Sequence, residues 1–375
     1  MNCYICNKKT HKILEDKTKI CITSEGELVK SKKKIFFCNN CQHLQKKNFT
    51  NLKDYYSKDY KLNLSKKNQD SIIQVKNKIL TRQQYQKTIF KKKIRITKAN
   101  ILDFGCGKGD MAKILKSNSP NFNLYLYDIG KQYLKYWKKF VKKENYSVDK
   151  IPNYWNRKFD IITSFYSLEH SENLNNIFLN FQRILKDNGL IYIVVPNVLS
   201  NIADFLVIDH INHFSKVSMQ LLAGKYFFKV INIDNISHEG AYIFILQKTK
   251  KKLVFKKNKI FKKQILKIKK KWEIKLKIIQ KKINFITEKF IIYGAGFYGR
   301  LIFSLIPKKK LKEFNGFIDR NYFLKGVKIG NKQVYNLERI KGFKNIFVGL
   351  NPKNSKKIMK STLKKKYKYF KINYI

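Results

Sequence analysis

Between residues 98 and 248, short apolar runs alternate with amphipathic stretches. The runs are Asn-Ile-Leu-Asp-Phe ending at 104, Leu-Tyr-Leu-Tyr-Asp ending at 128, Phe-Asp-Ile-Ile-Thr-Ser-Phe over 159–165, and Gly-Leu-Ile-Tyr-Ile-Val-Val-Pro over 189–196. Runs this short and this apolar suit strands covered on both faces, and the stretches between them suit crossover helices. The pattern therefore predicts an α/β domain built on a doubly wound, mostly parallel sheet. Residues 65–95 are polar, rich in Lys and Gln, and read as a helix leading into the first buried strand. From about 250 to 288 apolar residues recur at intervals near three and four, which predicts an amphipathic, Lys-rich helix that either packs on a domain or lies on a membrane surface. A last strand, glycine turn and helix opens at Lys289-Phe-Ile-Ile-Tyr-Gly294-Ala-Gly296-Phe-Tyr-Gly299. Four segments follow: 1–64, 65–248, 249–288 and 289–375.

Candidate chemistry begins at the end of the first buried run. Asp103-Phe-Gly105-Cys106-Gly107-Lys-Gly109 lies between a strand and a helix, where glycines permit a tight turn and let a ligand approach the backbone. Asp128 ends the next strand at a spacing where a carboxylate can accept hydrogen bonds from both ribose hydroxyls of an adenosine. The G-x-G-x-G spacing and the acid before it suit a ligand with an ammonium better than a dinucleotide pyrophosphate. Cys3-x-x-Cys6 and Cys38-x-x-Cys41 form two knuckles whose four thiolates can surround a structural Zn2+ tetrahedrally; Cys21 and His43 are spare candidates. A closed four-cysteine site leaves no position for a substrate, so this metal would hold its lobe together rather than catalyse.

These segments, with Phe159 through Ser164 to Leu168-Glu169-His170 and Arg183 through Gly189 to Pro196-Asn197, resemble the consecutive motifs of class I S-adenosylmethionine (SAM)-dependent methyltransferases. The resemblance implies a Rossmann-like SAM domain. In it Asp103, Gly105, Cys106, Gly107 and Gly109 would meet the methionine part, Asp128 and Ile129 the ribose, and Ser164 the pocket floor; Asp149 is a weaker carry-over for adenine. The wider layout is similar to the sugar C-methyltransferase group, with a zinc lobe before the SAM domain and a Rossmann-like half-domain after it. Members of that group act on nucleotide-activated deoxyketosugars. Their active-site segment, approximately Tyr-His-Glu-His, corresponds here to Val207-Ile208-Asp209-His210, followed by His213-Phe214-Ser215. The Tyr is replaced and the acid shortened, which leaves C- and O-methylation both open.

Methyl transfer from a sulfonium needs an aligned nucleophile and a group that removes its proton. His210 is the first candidate base, oriented by Asp209; His213 is the second, Glu169 would face the pocket, and His170 would cap the following helix. The bland alternative makes the His-rich turn a structural corner. In the last segment Asp319 ends a strand 20 residues beyond Gly299, which suits either a nucleotide or a fold kept for packing; only three strands are evident there.

Charge enters last. The formal net charge is +56, yet only seven of the 81 basic residues are Arg, and lysine is spread through every segment. Base-edge and phosphate-fork recognition favour Arg, so the charge reads as solvated surface, with an RNA or DNA methyltransferase as the alternative and a non-catalytic SAM-binding scaffold as a third reading. No Asn/Asp-Pro-Pro-Tyr/Phe segment or Pro-Cys nucleophile is present for nucleobase chemistry. No run approaches the roughly 18 apolar residues of a membrane span, and the first residues lack a signal-peptide core, so the expected location is cytoplasmic.

Overall fold

The computed structural model describes residues 1–15, 20–31, 34–47, 55–56, 72–75, 78–117, 121–238, 240–251, 260–363 and 369–375. The chain divides into two compact units, one of residues 1–17, 32–66 and 70–262, the other of 18–31, 67–69 and 263–375.

In the first unit, β1 (His11–Glu15) pairs antiparallel with β4 (Lys34–Phe37), while β2 (Ile20–Ile22) and β3 (Leu28–Lys30) form a hairpin of the second unit. β4 pairs with β5 (Leu44–Lys46). A second hairpin, β6 (Ile72–Val75) and β7 (Lys78–Thr81), occupies part of the stretch expected to be helical. The helix begins only at Arg82: α1 (Arg82–Lys93) is fixed by a capping box in which Thr81 Oγ1 accepts from Gln84 N at 3.2 Å and Gln84 Oε1 accepts from Thr81 N at 2.9 Å. Residues 65–71 lie outside the described residues.

The predicted buried runs form the central sheet. β8 (Ala99–Phe104) is followed by α2 (Asp110–Lys116), then β9 (Phe122–Asp128), the short α3 (Leu134–Trp137), β10 (Tyr146–Val148), β11 (Phe159–Phe165), α4 (Leu174–Ile184) and β12 (Leu185–Pro196). After the short β13 (Asn212–His213) and α5 (Lys216–Lys225), the hairpin β14 (Phe228–Asp234) and β15 (Ala241–Lys248) closes the edge. The strand order is β10-β9-β8-β11-β12-β15-β14, and β15 alone runs antiparallel to its neighbours. This is the doubly wound, Rossmann-like α/β sheet that the apolar runs predict.

Both faces are covered. On one, α4 presents Leu174, Phe178, Phe181 and Ile184, all fully buried, at spacings of three and four that keep them on one stripe. On the other, α1, α2 and α3 bury Phe90, Met111, Leu115 and Trp137. The order reverses between β8 and β11, so the loops at their carboxyl ends diverge and leave a crevice there. That topology positions the glycine turn.

The amphipathic helix forms as α6 (Ile260–Phe285), part of the second unit from Lys263 on, with Ile265, Ile279 and Ile283 buried. Beyond it a six-stranded sheet runs β18-β19-β17-β16-β20-β21. It comprises β16 (Phe290–Tyr293), β17 (Phe314–Ile318), β18 (Lys328–Ile329), β19 (Lys332–Tyr335), β20 (Asn345–Val348) and β21 (Lys371–Tyr374), with α7 (Phe297–Ser304) and α8 (Ser355–Leu363). The sequence showed three of these strands. The others are short, two to four residues, and β18, β19 and β21 each open on a lysine, so no apolar run marks them.

Candidate functional site

Three glycines carry the turn after β8 in the left-handed region: Gly105 at φ +70°, Gly107 at +53° and Gly109 at +78°. Only glycine enters that region without strain. At Gly105 a Cβ would also lie 2.0 Å from Ser167 Oγ, so the loop after β11 fits against a bare backbone. Cys106 N donates to Tyr127 O at 3.1 Å, and its half-buried thiol is pushed up by burial and by Asp128 and Asp103, which makes it a poor nucleophile. Gly107 N and Gly130 N donate to the two oxygens of Asp128 at 2.8 and 2.9 Å, and Trp137 Nε1 donates to Gly107 O at 2.7 Å. Asp128 and the half-buried Ile129 thus stand at the end of β9 beside the glycine turn.

Asp103 is 3% exposed, and Thr163 Oγ1 on the neighbouring strand donates to it at 2.8 Å. Burial pushes its carboxyl up to about 7, against that hydrogen bond, and Asp128 adds to the rise. Burial also raises Asp128, opposed by its backbone donors. A buried carboxyl, Asp103, and a half-buried one, Asp128, at the mouth of a glycine turn form a place where a cationic, hydroxyl-bearing ligand gains charge-assisted hydrogen bonds. Ser164, next along β11 and so on the opposite sheet face from Thr163, is fully buried with no hydrogen-bond partner for Oγ among the described residues.

The histidine corner differs from the expectation in its orienting acid. His210 Nδ1 lies 2.5 Å from Asp204 Oδ1, and His213 Nδ1 hydrogen-bonds to Asp204 Oδ2. The carboxylate that orients His210 is therefore Asp204, on the 3-10 turn Ile202–Leu206, and not Asp209. The backbone turn explains the exchange: His210 N donates to Val207 O, which folds the segment back and carries Asp209 to the other side. Tyr56 Oη donates to Asp209 Oδ2 at 2.9 Å and lies 2.5 Å from His170 Nδ1, which is itself 3.0 Å from the Asp209 carbonyl oxygen. His170 packs edge-on against His210 with ring centroids 4.6 Å apart. It does not cap α4; Asn173 does, accepting from Asn176 N at 3.0 Å.

Electrostatics distinguish the members of this corner. Burial opposes ionisation of Asp204, but the two histidines outweigh it and hold the carboxyl well below the usual range. Burial is the largest influence on His210 and would lower it; the Asp204 charge and hydrogen bond, with Glu169 and Asp209, together offset that and raise it. His213 stays down at about 4, because burial dominates, so it acts as a neutral donor to Asp204. Burial and the His210 charge hold His170 at about 4. Glu169 is fully buried, neither carboxyl oxygen has a hydrogen-bond partner among the described residues, and burial pushes it up to about 8.

Asp204 and Tyr56 escaped the sequence reading. A lone acid inside the apolar run Ile-Ala-Asp204-Phe-Leu-Val-Ile signals a buried partner, since an unpaired charge there would cost roughly several kcal/mol. Tyr56 offered no such signal among many tyrosines. Its neighbours 51–54 and 57–60 lie outside the described residues.

The four sulfurs of Cys3, Cys6, Cys38 and Cys41 lie within 4.8 Å of one another, a donor set that can hold a metal ion. Each knuckle turns alike: Asn7 N donates to Cys3 O and Gln42 N to Cys38 O, and both Asn7 and Gln42 take φ +56°. Of the spare candidates, Cys21 belongs to the second unit and His43 Nε2 lies 3.0 Å from Asn212 Oδ1. The knuckles reach the histidine corner through the backbone. β13 pairs with β5, His213 opposite Leu44, and Lys46 Nζ donates to Val207 O. Asn212 Nδ2 in turn donates to Ser171 O at 2.6 Å, beside Glu169 and His170.

In the second unit, Asp319 accepts from Ala295 N at 2.7 Å and Asn321 N at 2.8 Å. A Cβ on Gly299 would lie 1.8 Å from Gly294 O, so that glycine is required by packing, whereas one on Gly296 would meet nothing within 4 Å.

Residues 60–233 match the family described as a methyltransferase domain. Solved structures with a similar fold include a SAM-dependent methyltransferase from Mesorhizobium loti, at 12% identity over 41% of this chain and 93% of that one, TM-score 0.34. Others are the PH0226 protein from Pyrococcus horikoshii, at 17% over 45% and 90%, TM-score 0.36, and a SAM-dependent methyltransferase from Methanosarcina mazei, at 15% over 43% and 97%, TM-score 0.35. No curated protein matches the chain. No helix among the described residues is long and apolar enough to cross a membrane.

Proposed function

We propose that this chain, whose residues 60–233 match a methyltransferase domain, is a SAM-dependent methyltransferase that methylates a nucleotide-activated sugar or a related surface-polysaccharide precursor, at carbon or oxygen, with His210 as the residue that takes the acceptor's proton. The observation that carries the chemistry is the Asp204–His210 contact: a buried carboxylate fixes one imidazole nitrogen and leaves Nε2 for the acceptor. As the methyl group leaves sulfur, the S–C bond breaks, the acceptor gains the methyl, and its proton passes to His210. Asp204 stabilises the resulting imidazolium and is a positioning residue. Asp209, through Tyr56 and His170, shapes the same corner, and Glu169 borders it; His213 serves as a neutral support.

In this reading Asp103 and the turn Gly105-Cys106-Gly107-Lys-Gly109 take the methionine part of SAM, with the ammonium on Asp103. Asp128 and Ile129 take the ribose, and Ser164 lies toward the floor. Cys3, Cys6, Cys38 and Cys41 hold a structural zinc ion, whose role is to fix β5 and thereby the strand that carries His213.

Incubation with methyl-labelled SAM and, separately, nucleotide-sugar mixtures and total RNA tests the acceptor class. Label in the sugar fraction is expected; label in RNA alone overturns it. His210→Ala should abolish turnover while leaving SAM affinity nearly intact, and unchanged turnover removes that residue from the mechanism.

A further inference from the structure

We propose that Glu169, His170 and His210 bind one divalent transition-metal ion, placing a cation at the acceptor end of the site. This rests on the reading above for the location of the acceptor and replaces one step of it: with the ion bound, His210 Nε2 is a ligand and the acceptor's proton leaves from an ion-bound hydroxyl. Three independent features carry it.

The first is the orphaned carboxylate. Glu169 is fully buried and both its oxygens lack hydrogen-bond partners among the described residues, an arrangement that proteins seldom leave uncompensated. No lysine or arginine ion pair to it is present among those residues. The second is convergence: one ligand atom from each of Glu169, His170 and His210 lies within 4.8 Å of the others. With bonds of about 2.0–2.2 Å, donors around one ion sit about 3–4 Å apart, so a rotamer adjustment closes the set.

The third is the outer shell. Each imidazole already has Nδ1 engaged, His210 on the Asp204 carboxylate and His170 near the Asp209 carbonyl and the Tyr56 hydroxyl, leaving Nε2 as the donor atom on both. A carboxylate or carbonyl behind the histidine is what orients metal-binding imidazoles and raises their basicity. Two imidazoles and one carboxylate suit zinc, cobalt, nickel or ferrous iron rather than calcium or magnesium.

Three protein ligands leave positions open, so an acceptor oxygen can join the ion. Coordination lowers the pKa of a bound hydroxyl; its proton then leaves to water rather than to His210, whose Nε2 is occupied. The oxygen attacks the methyl carbon, the S–CH3 bond breaks, and S-adenosylhomocysteine departs with the sulfur electron pair. The ion therefore selects an oxygen acceptor over a carbon one.

The test uses the full chain dialysed against excess Zn2+ and then metal-free buffer, with zinc per chain measured for wild type, Glu169→Gln and His170→Ala. Circular dichroism and SAM affinity verify that the variants fold. One equivalent fewer in each folded variant than in wild type is the expected result. Equal zinc in all three overturns the site and leaves the methyltransferase reading standing, because that is judged by label transfer alone. A variant that loses the ion yet transfers label to a hydroxyl at the wild-type rate overturns the link to acceptor chemistry.

Discussion

Asp204→Asn is the most informative single perturbation. Asp204 is 1% exposed and spends one oxygen on each of two histidines. An asparagine keeps one acceptor and turns the other into a donor facing His213 Nδ1. His213 can switch tautomer, but its Nε2 is buried without a partner among the described residues and would then hold an unpaired proton. Losing charge-assisted bonds worth about 1.5–3 kcal/mol each gives an expected loss of about 3–5 kcal/mol, in line with breaking buried ion pairs. The sign with pH is fixed by the two shifts. Asp204 lies below its unfolded value of 3.8, so its contribution is present above that pH and is lost as pH falls through the depressed folded value. His210 lies above its unfolded value of 6.5, so its contribution is full below that pH and fades as pH rises through the folded value. The substitution should therefore cost more at pH 6 than at pH 9. Urea unfolding in a Trp272→Phe background reads it, because the remaining Trp137 and Trp155 are both fully buried in the first unit. An unchanged midpoint, or the same loss at both pH values, refutes the reasoning.

Three further outcomes are expected. Gly105→Ala must adopt φ +70° and push a Cβ to 2.0 Å from Ser167 Oγ, so SAM affinity should fall at least about tenfold by calorimetry; a wild-type Kd would show that the loop accommodates a side chain. With Asp103 near 7 and SAM requiring its ionised form, affinity should drop about tenfold per unit as pH falls below 7. Asp103→Asn should abolish that dependence, and a pH-independent wild type argues against the ammonium contact. Cys6→Ser should release zinc and lower the melting temperature of the first unit, measured by metal analysis and calorimetry; retained zinc would remove the four-cysteine assignment.

The sheet and the glycine turn were legible because they depend on local rules. A strand buried on both faces reads as an apolar run, and a turn with three left-handed positions in five residues favours glycine at each, so Ile101, Leu102, Gly105 and Gly109 announce themselves. The β6–β7 hairpin was not legible, since its strands Ile-Ile-Gln-Val and Lys-Ile-Leu-Thr are only four residues each and sit inside a polar, Lys- and Gln-rich stretch. The short strands of the second unit were hidden in the same way.

The histidine corner divides along the same line. Its residue types could be read from the chain: His210, His213, Asp209 and Glu169 stand close to the matched motifs. Which carboxylate meets which imidazole could not, because Asp204 and Asp209 are five residues apart and equally placed by spacing. The 3-10 turn at 202–206 and the pairing of β13 with β5 send one toward His210 and the other toward Tyr56 and His170, 153 and 39 residues away in sequence. Local sequence determines backbone conformation and burial pattern, whereas the partners of a buried charge are set by whichever elements packing brings alongside it. That is why the glycine turn could be read from the sequence and the carboxylate that meets His210 only from the tertiary structure.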